Sequence, residues 1–501
     1  MLAPEVSVQQ HTVRTLPTIR VACLRGRIVG TMQVLRISPS TPLHPRFLMQ
    51  RSSRLIFAAC FLILLTGARR RDKNEPYADH ENRYTAVFVD GTRIEGGKLS
   101  GWDRPGAKPK INGRALLDEK KPVRWLKHDR QHAAPRPTAM VEFFGGDVLP
   151  GRVIEVRGQN GKPTLVVEPE AMLRDAEGQP ASQVIVQARW VRRIVWQRAG
   201  EGDYRPGTLL FSDGRKLAYR SLKFAGGSIE LLTDAGRREV SLGEVAELHL
   251  PRRDPWEVYY EQLAVLSPKC TARLVQLQMT DGLRVTSSTD LMQVDTLPGG
   301  RYFRHVVRPA WTDQPLVLDH PRVGVMRFFM PHEVPLSAIL PERVVRRAVL
   351  GGSWRPRQGH SVRGGPLRSG GVTFGWGLGV QAHSELYFAL PSCARAFRSY
   401  VGLDESVGSR GGCVRALVYA DKPTGKPLYR SDVLVGSSKV IDTKKVWLKG
   451  LRQIVLVADA AHEGRPAGAD PLDVRDALNW LEPQFELEFK LLRKEVARRL
   501  K

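Results

Sequence analysis

Paired cysteine motifs are missing from this sequence. Its five cysteines are Cys23, Cys60, Cys270, Cys393 and Cys413, and no two of them form a C-x-x-C. That excludes zinc ribbons and dithiol redox motifs. Cys393 and Cys413 could pair, although nothing in their spacing requires it. Aromatic residues are sparse, at 7%, so there is little of the ring-and-basic interleaving that stacks nucleic-acid bases. No G-x-S-x-G, H-E-x-x-H or G-x-x-x-x-G-K occurs, which removes the commonest nucleophile, zinc and phosphate signatures. His128 and His132 are spaced i, i+4, but they lie in a Pro-rich basic stretch and read as solvated loop histidines. Acidic side chains are outnumbered, 51 against 77 Lys and Arg, which leaves a formal net charge of +26. Such a balance suits an anionic partner: nucleic acid, anionic lipid or acidic polysaccharide. Arginine is spread along the whole chain, as a compositional bias would also give.

Long apolar runs are lacking too. The run from Leu55 to Leu65 would extend about 16 Å as a helix, well short of a ~30 Å hydrocarbon core. It sits in "MQRSSRLIFAACFLILLTGA", residues 49–68: a basic start, an apolar centre and small residues at the end. That is the layout of a secretory signal. It predicts an exported protein, periplasmic or extracellular, with a mature start near Arg69 and translation beginning at Met49. Residues 1–48 are then a mis-assigned start or a disordered leader. The alternative is a single-pass anchor through 55–65, with Ala68 to Arg71 holding the cytoplasmic side.

The middle of the chain is rich in turns. Four segments read as an alternating strand, a D-G or G-G turn and a second strand: "YTAVFVDGTRIEGGKL", "AMVEFFGGDVLPGRVIEV", "GTLLFSDGRKLAYRSLKF" and "RLVQLQMTDGLRVTSSTDL". D-G between alternating strands is a strong hairpin signal. The turns fall at Gly91, Gly145, Gly214 and Gly282, intervals of 54, 69 and 68 residues, an irregular repeat. The predicted organisation is one or two small β units over 74–200, a small barrel over 201–253, and a helix with a fourth unit over 254–340. In pattern the units resemble small SH3-like or Sm-like barrels. Such barrels commonly bind RNA, but the export signal and the few aromatics argue against nucleic acid. "DPWEVYYEQLAVL" (254–266) has helical spacing, with Asp254 as N-cap before Pro255. Residues 491–501 read as a basic tail.

The C-terminal third carries "GLGVQAHSELYFAL", "ARAFRSYVGLDE", "GGCVRALVYADKPTGKPLYRS", "LKGLRQIVLVADA" and "DALNW" in that order. Short alternating stretches between Gly-rich turns predict an antiparallel sandwich. In order and character these motifs resemble the NPCBM family, also called NEW2, whose name marks it as a carbohydrate-binding module. The likeness covers 343–490; "EGRPAGADPLDVR" (463–475) is an insertion relative to it. It implies a galactose-binding-like β-sandwich, so the whole chain is expected to be mainly β. It also implies a glycan as partner, met by loop residues. Trp376 and Tyr429 are the candidate stacking platforms, and His383 and Asp404 the candidate hydrogen-bonding groups; Trp480 reads as core. For His383 a structural hydrogen bond is the competing role, and for the aspartates a capping role. A calcium site built from Asp404, Asp470, Asp473 and Asp476 is the one cofactor the loops allow. A glycosidase needs two carboxylates on an enclosing scaffold, and the upstream hairpins offer none. The expected function is therefore non-catalytic binding of glycan or cell-envelope polysaccharide. The alternatives are a structural protein that binds cell-envelope proteins, and an accessory part of a glycoside hydrolase system.

Overall fold

The computed structural model describes residues 83–101, 108–130, 137–159, 162–197, 204–296, 303–347, 354–469 and 472–500. The expectations for 1–48 and 49–68, and those for His132 and Asp470, lie outside these residues.

All four expected hairpins form. They pair Tyr84–Phe88 with Arg93–Gly97, Met140–Phe143 with Val148–Gln159, Thr208–Phe211 with Lys216–Ala218, and Leu274–Met279 with Arg284–Ser288. Glycine takes the left-handed positions of these turns: φ is +82° at Gly91, +86° and +95° at Gly145 and Gly146, +87° at Gly214 and +94° at Gly282. A return strand then lies antiparallel against the first strand of each hairpin. These are Val123–His128, Val191–Val195, Val245–His249 and Val323–Phe329. In the last three repeats a single 3-10 turn precedes the return strand: Ala188–Trp190, Leu242–Glu244 and His320–Arg322. Hairpin, excursion and closing strand make one repeat, and two such sets of strands fall between Tyr84 and Val195.

The units are not separate beads. Their core strands join one sheet in the order third, second, fourth, first repeat. The return strands of the second and third repeats pair, as do those of the first and fourth. A single bridge, Arg284 with Val148, joins the two pairs. Pairing at these edges hides backbone groups that would otherwise invite other chains.

The C-terminal part is a sandwich of two antiparallel sheets. One contains Arg357–Gln358, Gly377–Gln381, Ala477–Leu487, Ala394–Leu403 and Val440–Asp442; the other contains Arg343–Arg346, Ser384–Ala389, Gln453–Asp459, Cys413–Ala420 and Tyr429–Arg430. Between them lie Phe388, Phe397, Phe485 and Trp480, all fully buried. Phe397 and Phe485 have ring centroids 5.9 Å apart, within the range of favourable aromatic pairs.

Three expectations change here. First, the sandwich is not closed off from what precedes 343. Glu333–Pro335 already pairs with Ala477–Leu487, and one hydrophobic core runs through both regions. Trp125 of the first repeat donates from Nε1 to Glu482 Oε1 of the sandwich at 2.6 Å. Arg327 Nε donates to the Gly375 carbonyl at 2.6 Å. Second, the basic tail is a helix, Phe489–Arg499, with Leu492 and Val496 fully buried. It packs on the helix Pro255–Leu266, whose Asp254 caps Trp256 N at 2.8 Å. That helix also meets the sandwich: Trp256 Nε1 donates to the Ala389 carbonyl at 2.8 Å. Third, Cys393 and Cys413 do not pair; Cys270, Cys393 and Cys413 are all free and buried. Cys393 instead sits 3.3 Å from the Tyr260 hydroxyl.

His128 is also not a solvated loop residue. It ends the strand Val123–His128, is buried, and meets the Tyr84 ring edge-on at 4.9 Å.

Candidate functional site

Strand alternation decides what the sandwich shows to solvent. In "HSELYFAL" the residues Leu386 and Phe388 point into the core, which leaves His383, Glu385 and Tyr387 on the opposite face. Tyr387 there joins a small separate cluster with Leu417, Val455 and Val457. The Arg343 guanidinium covers it, 3.8 Å from the ring centroid, a cation–π contact.

A charged group forms at one end of this face. His383 Nε2 lies 3.1 Å from Glu385 Oε1, and Tyr387 donates its hydroxyl to Glu385 Oε2 at 2.5 Å. His383 Nδ1 is 3.8 Å from Asp459 Oδ2, a distance for an ion pair and too long for a hydrogen bond. Arg415 is in register with Asp459 on the next strand and donates to the Glu463 carbonyl at 3.1 Å. His383 comes just before the strand Ser384–Ala389, Asp459 ends Gln453–Asp459, and Arg415 lies near the start of Cys413–Ala420. Three adjacent strands thus bring these side chains together.

The charges reinforce one another. Asp459 and then Glu385 raise the His383 pKa against the pull of desolvation. The imidazole in turn holds Asp459 below the usual carboxylate range, with help from the Ala461 N–H. Burial pushes Glu385 upward, but the Tyr387 hydroxyl and His383 outweigh it and the pKa falls. Both carboxylates are therefore held ionised. A glycosidase acid has a raised pKa so that it carries a proton; the shifts of Glu385 and Asp459 run the other way.

The other sequence candidates do not join this group. Trp376 is 2% exposed. It packs edge-to-face on Phe329 at 5.0 Å, with the Arg124 guanidinium 5.8 Å from its ring. The fourth and first repeats therefore cover the ring, and it cannot be an open platform. Asp404 is buried, and its oxygens are taken. Oδ1 accepts from the Ser406 N–H at 3.1 Å and from the Ser406 hydroxyl, and Oδ2 accepts from Asn479 Nδ2 at 3.1 Å. It caps the turn Glu405–Val407. Tyr429 is half-buried against the core, and burial pushes its phenol up to about 12. It lies three strands from Ser384–Ala389, about 14 Å at ~4.8 Å per strand.

Of the four aspartates considered for calcium, Asp473 and Asp476 are turned toward an arginine and Asp404 to Ser406 and Asn479. The Arg465 guanidinium lies 2.8 Å from Asp473 Oδ1 and 3.7 Å from Asp476 Oδ2. Asp473 also meets His462 at 2.9 Å, and Asp476 accepts from the Cys413 N–H at 2.7 Å. An arginine thus supplies the positive charge. Among the described residues no group of three His, Cys, Asp or Glu is placed to hold a metal.

Sequence reasoning missed Glu385, Tyr387, Arg415 and Asp459. The outward half of the alternation in "HSELYFAL" held the signal for the first two. It also missed Trp447, which is 58% exposed beside Arg395, 5.6 Å from its ring. Val446 and Leu448 on either side are buried, so alternation turns Trp447 outward.

Residues 340–486 match the NPCBM/NEW2 domain family. Among solved structures, the chain is similar to a CBM51 module of Clostridium perfringens GH95 in complex with methyl-galactose. The identity is 20%, the coverage 30% of this chain and 99% of that one, and the TM-score 0.26. It is also similar to the CBM51-2 and INT domains of Clostridium perfringens ZmpB in complex with GlcNAc, at 20% identity, covering 41% of this chain and 43% of that one, with a TM-score of 0.27. The curated proteins include no match to the chain.

Proposed function

We propose that this is an exported, non-catalytic glycan-binding protein, and that its sandwich meets the saccharide at the strand ends around His383, Glu385, Asp459 and Arg415. The match of residues 340–486 to a carbohydrate-binding module family carries this reading. The geometry supports it. Fixed, charged hydrogen-bonding groups converge at a position where the Asp459 side chain is 35% exposed. A sugar hydroxyl donates to one group and accepts from another, and an imidazole beside carboxylates offers both roles. Paired, ionised carboxylates favour binding over hydrolysis. The apolar segment at 49–68 supports export; cell fractionation with N-terminal sequencing of the native protein tests that part. A cytoplasmic protein would end it.

A glycan array followed by calorimetry on the chain tests the binding, with galactosides and N-acetylglucosamine among the probes. Asp459→Asn and His383→Gln are expected to weaken binding about tenfold, the loss of one charge-assisted hydrogen bond, with melting little changed. Retention of no glycan, or full affinity in both variants, would overturn the assignment. One observation favours a second reading, that of an envelope protein-interaction module. Trp447 stands exposed beside Arg395, and Trp and Arg are the residue types that dominate protein interfaces. Binding to a protein partner that is lost in Trp447→Ala, with no glycan retained, would select it.

A further inference from the structure

The cleft with the most to offer a ligand lies far from the sandwich in sequence, where the second and third repeats meet. It has a volume of about 560 Å³, within the range of ~300–1,000 Å³ typical of small-molecule sites. Its walls come from strand ends. Trp196 and Gln197 follow the strand Val191–Val195, Ser212 follows Thr208–Phe211, and Val245 begins Val245–His249. Arg152 reaches it from the long strand Val148–Gln159.

This arrangement is already organised for a ring. Trp196 Nε1 donates to the Val153 carbonyl at 2.8 Å, so the polar edge of the indole is spent. Only its apolar surface remains for a ligand. Leu242 and Val245 extend that surface. The backbone beneath is tied down: Trp196 N and Gln197 N both donate to the Ala246 carbonyl, at 2.9 and 3.2 Å. Ser212 is held through its N–H and hydroxyl to the Glu244 carbonyl, at 2.9 and 3.3 Å. A fixed aromatic wall loses little entropy when a ligand stacks on it.

The charge is one-sided. Neighbouring arginines have carboxylate partners: Arg157 pairs with Glu155, Arg192 with Glu142, Arg193 with Glu247, and Arg215 with Asp213. Arg152 is exposed and, although Glu168 stands opposite it in register on the next strand, among the described residues the two form no ion pair. The cleft lining contains no Asp or Glu. A planar guanidinium without a partner suits a carboxylate. Hydroxyl and amide groups from Ser212 and Gln197 suit a polyol.

We propose that this cleft is a second saccharide site, independent of the sandwich, and that it takes a hexuronate unit of an acidic polysaccharide. The pyranose stacks on Trp196, its carboxylate meets Arg152, and its hydroxyls meet Gln197 and Ser212. The excess of 77 basic over 51 acidic residues would raise the local concentration of such a polyanion.

Calorimetry on the chain decides this, with a trigalacturonate and the neutral galactotriose as probes at low and high salt. The acidic probe is expected to bind more tightly. Trp196→Ala should weaken it about fivefold, the scale of one aromatic contact. Arg152→Gln should weaken it about tenfold or more and abolish the acidic preference, as expected for a lost charge-assisted bond. Arg152 is on the surface, so its variant tests the site without disturbing the core; Trp196→Phe retains the apolar ring and should bind more tightly than Trp196→Ala. Asp459→Asn should leave this binding unchanged, which separates it from the sandwich site. Equal affinity in wild type, Trp196→Ala and Arg152→Gln would overturn the proposal and leave a diffuse basic surface. No affinity for the acidic probe, or loss of it only in Asp459→Asn, would overturn it as well.

Discussion

The repeats and the sandwich are both antiparallel β, yet they fill their interiors differently. The centre of the sandwich is aromatic and apolar, with Phe388, Phe397, Phe485 and Trp480, and its buried polar groups, among them Asp404, Asp476 and Glu482, lie around that centre or at its border with the repeats. The repeats bury charge at their joints. Where the second and third repeats meet, Arg193 Nη2 donates to Glu247 Oε2 at 2.5 Å, and His249 Nε2 donates to the same oxygen at 3.0 Å. His249 Nδ1 accepts from the Arg205 N–H at 2.8 Å, which fixes the tautomer. At the other pair, Tyr84 meets His320 at 3.1 Å, and His320 meets His305 at 2.8 Å. The sandwich closes most of its core between its own two sheets. A small barrel unit cannot, so it completes its interior against the next unit, and buried polar groups specify which unit that is. This role of specificity is our reading of the joints.

The comparison breaks most sharply at Val401. It is fully buried, and its strand is flanked on both sides, with Trp480 and Ile441 in register. Proline there removes a ladder donor from the middle of a sheet, a position that proline occupies essentially only on edge strands or at bulges. Because one core runs through both regions, Val401→Pro should abolish cooperative melting of the repeats as well. Circular dichroism melts check this. A surviving repeat transition at the wild-type temperature would show that the regions are independent after all.

The next largest effect is expected at the joint between the second and third repeats. Glu247→Ala leaves Arg193 buried without its main partner and should destabilise by about 3–5 kcal/mol. Arg193→Met with Glu247→Leu should recover most of that, since an apolar pair of similar volume fills the space. Chemical denaturation of the two variants measures the difference. If the double variant were as unstable as the single, the joint would depend on this charge pair itself.

These two variants mark what was legible in the sequence. The hairpins were readable because D-G and G-G turns act locally, and so was the sandwich, because its strands alternate. The order of the repeats was not readable. It depends on which return strands pair, and all four carry similar apolar runs. Trp376 was misread for a related reason. Alternation assigns faces, but it cannot show that Phe329 and Arg124, in other repeats, cover the outer one. The terminal helix was readable in principle, with Leu492 and Val496 four apart, but the surrounding charges obscured it. For the site, His383 was found and its partners were not, because Asp459 lies 76 residues away and only sheet register brings it close.

A smaller effect separates the regions by pH. Desolvation lowers the His305 pKa to about 3 and also lowers that of His320. Their folded values lie below the unfolded one near 6.5, so the unfolded chain binds more protons in between. Stability is then full above about pH 6.5 and falls as pH drops toward 3, by up to ~1.4 kcal/mol per pH unit for each proton. Asp147 works the other way. Burial raises its pKa to about 6 from 3.8, so its contribution is greatest below pH 3.8 and fades as pH rises through 6. Desolvation also lowers His128, so three histidines oppose Asp147, and net acid lability is expected from the repeats. His305→Gln should flatten the decline in denaturation midpoints measured from neutral to acid pH. An unchanged slope in that variant would remove the histidines as its source.

The smallest expected effect lies at the sandwich end, and it has the opposite sign at high pH. His383 has a raised pKa, so its favourable charge is fully present below the unfolded value of 6.5 and is lost as pH rises through the folded one. Asp459 and Glu385 have lowered values, so their contribution is present above the unfolded values near 4 and is lost as pH falls through the folded ones. The group is therefore at its best between those limits. The side chains are 18%, 13% and 35% exposed for His383, Glu385 and Asp459, so solvent screens them and the total should be at most ~1 kcal/mol. His383→Gln should remove the alkaline decline in stability and leave the acid lability of the repeats untouched. If the same group also binds the glycan, affinity should weaken over the same alkaline range in wild type and become pH-independent there in His383→Gln. Parallel melts and titrations across that range compare the two. A stability change with no matching change in affinity would leave His383 a purely structural residue and move the sugar elsewhere on the sandwich.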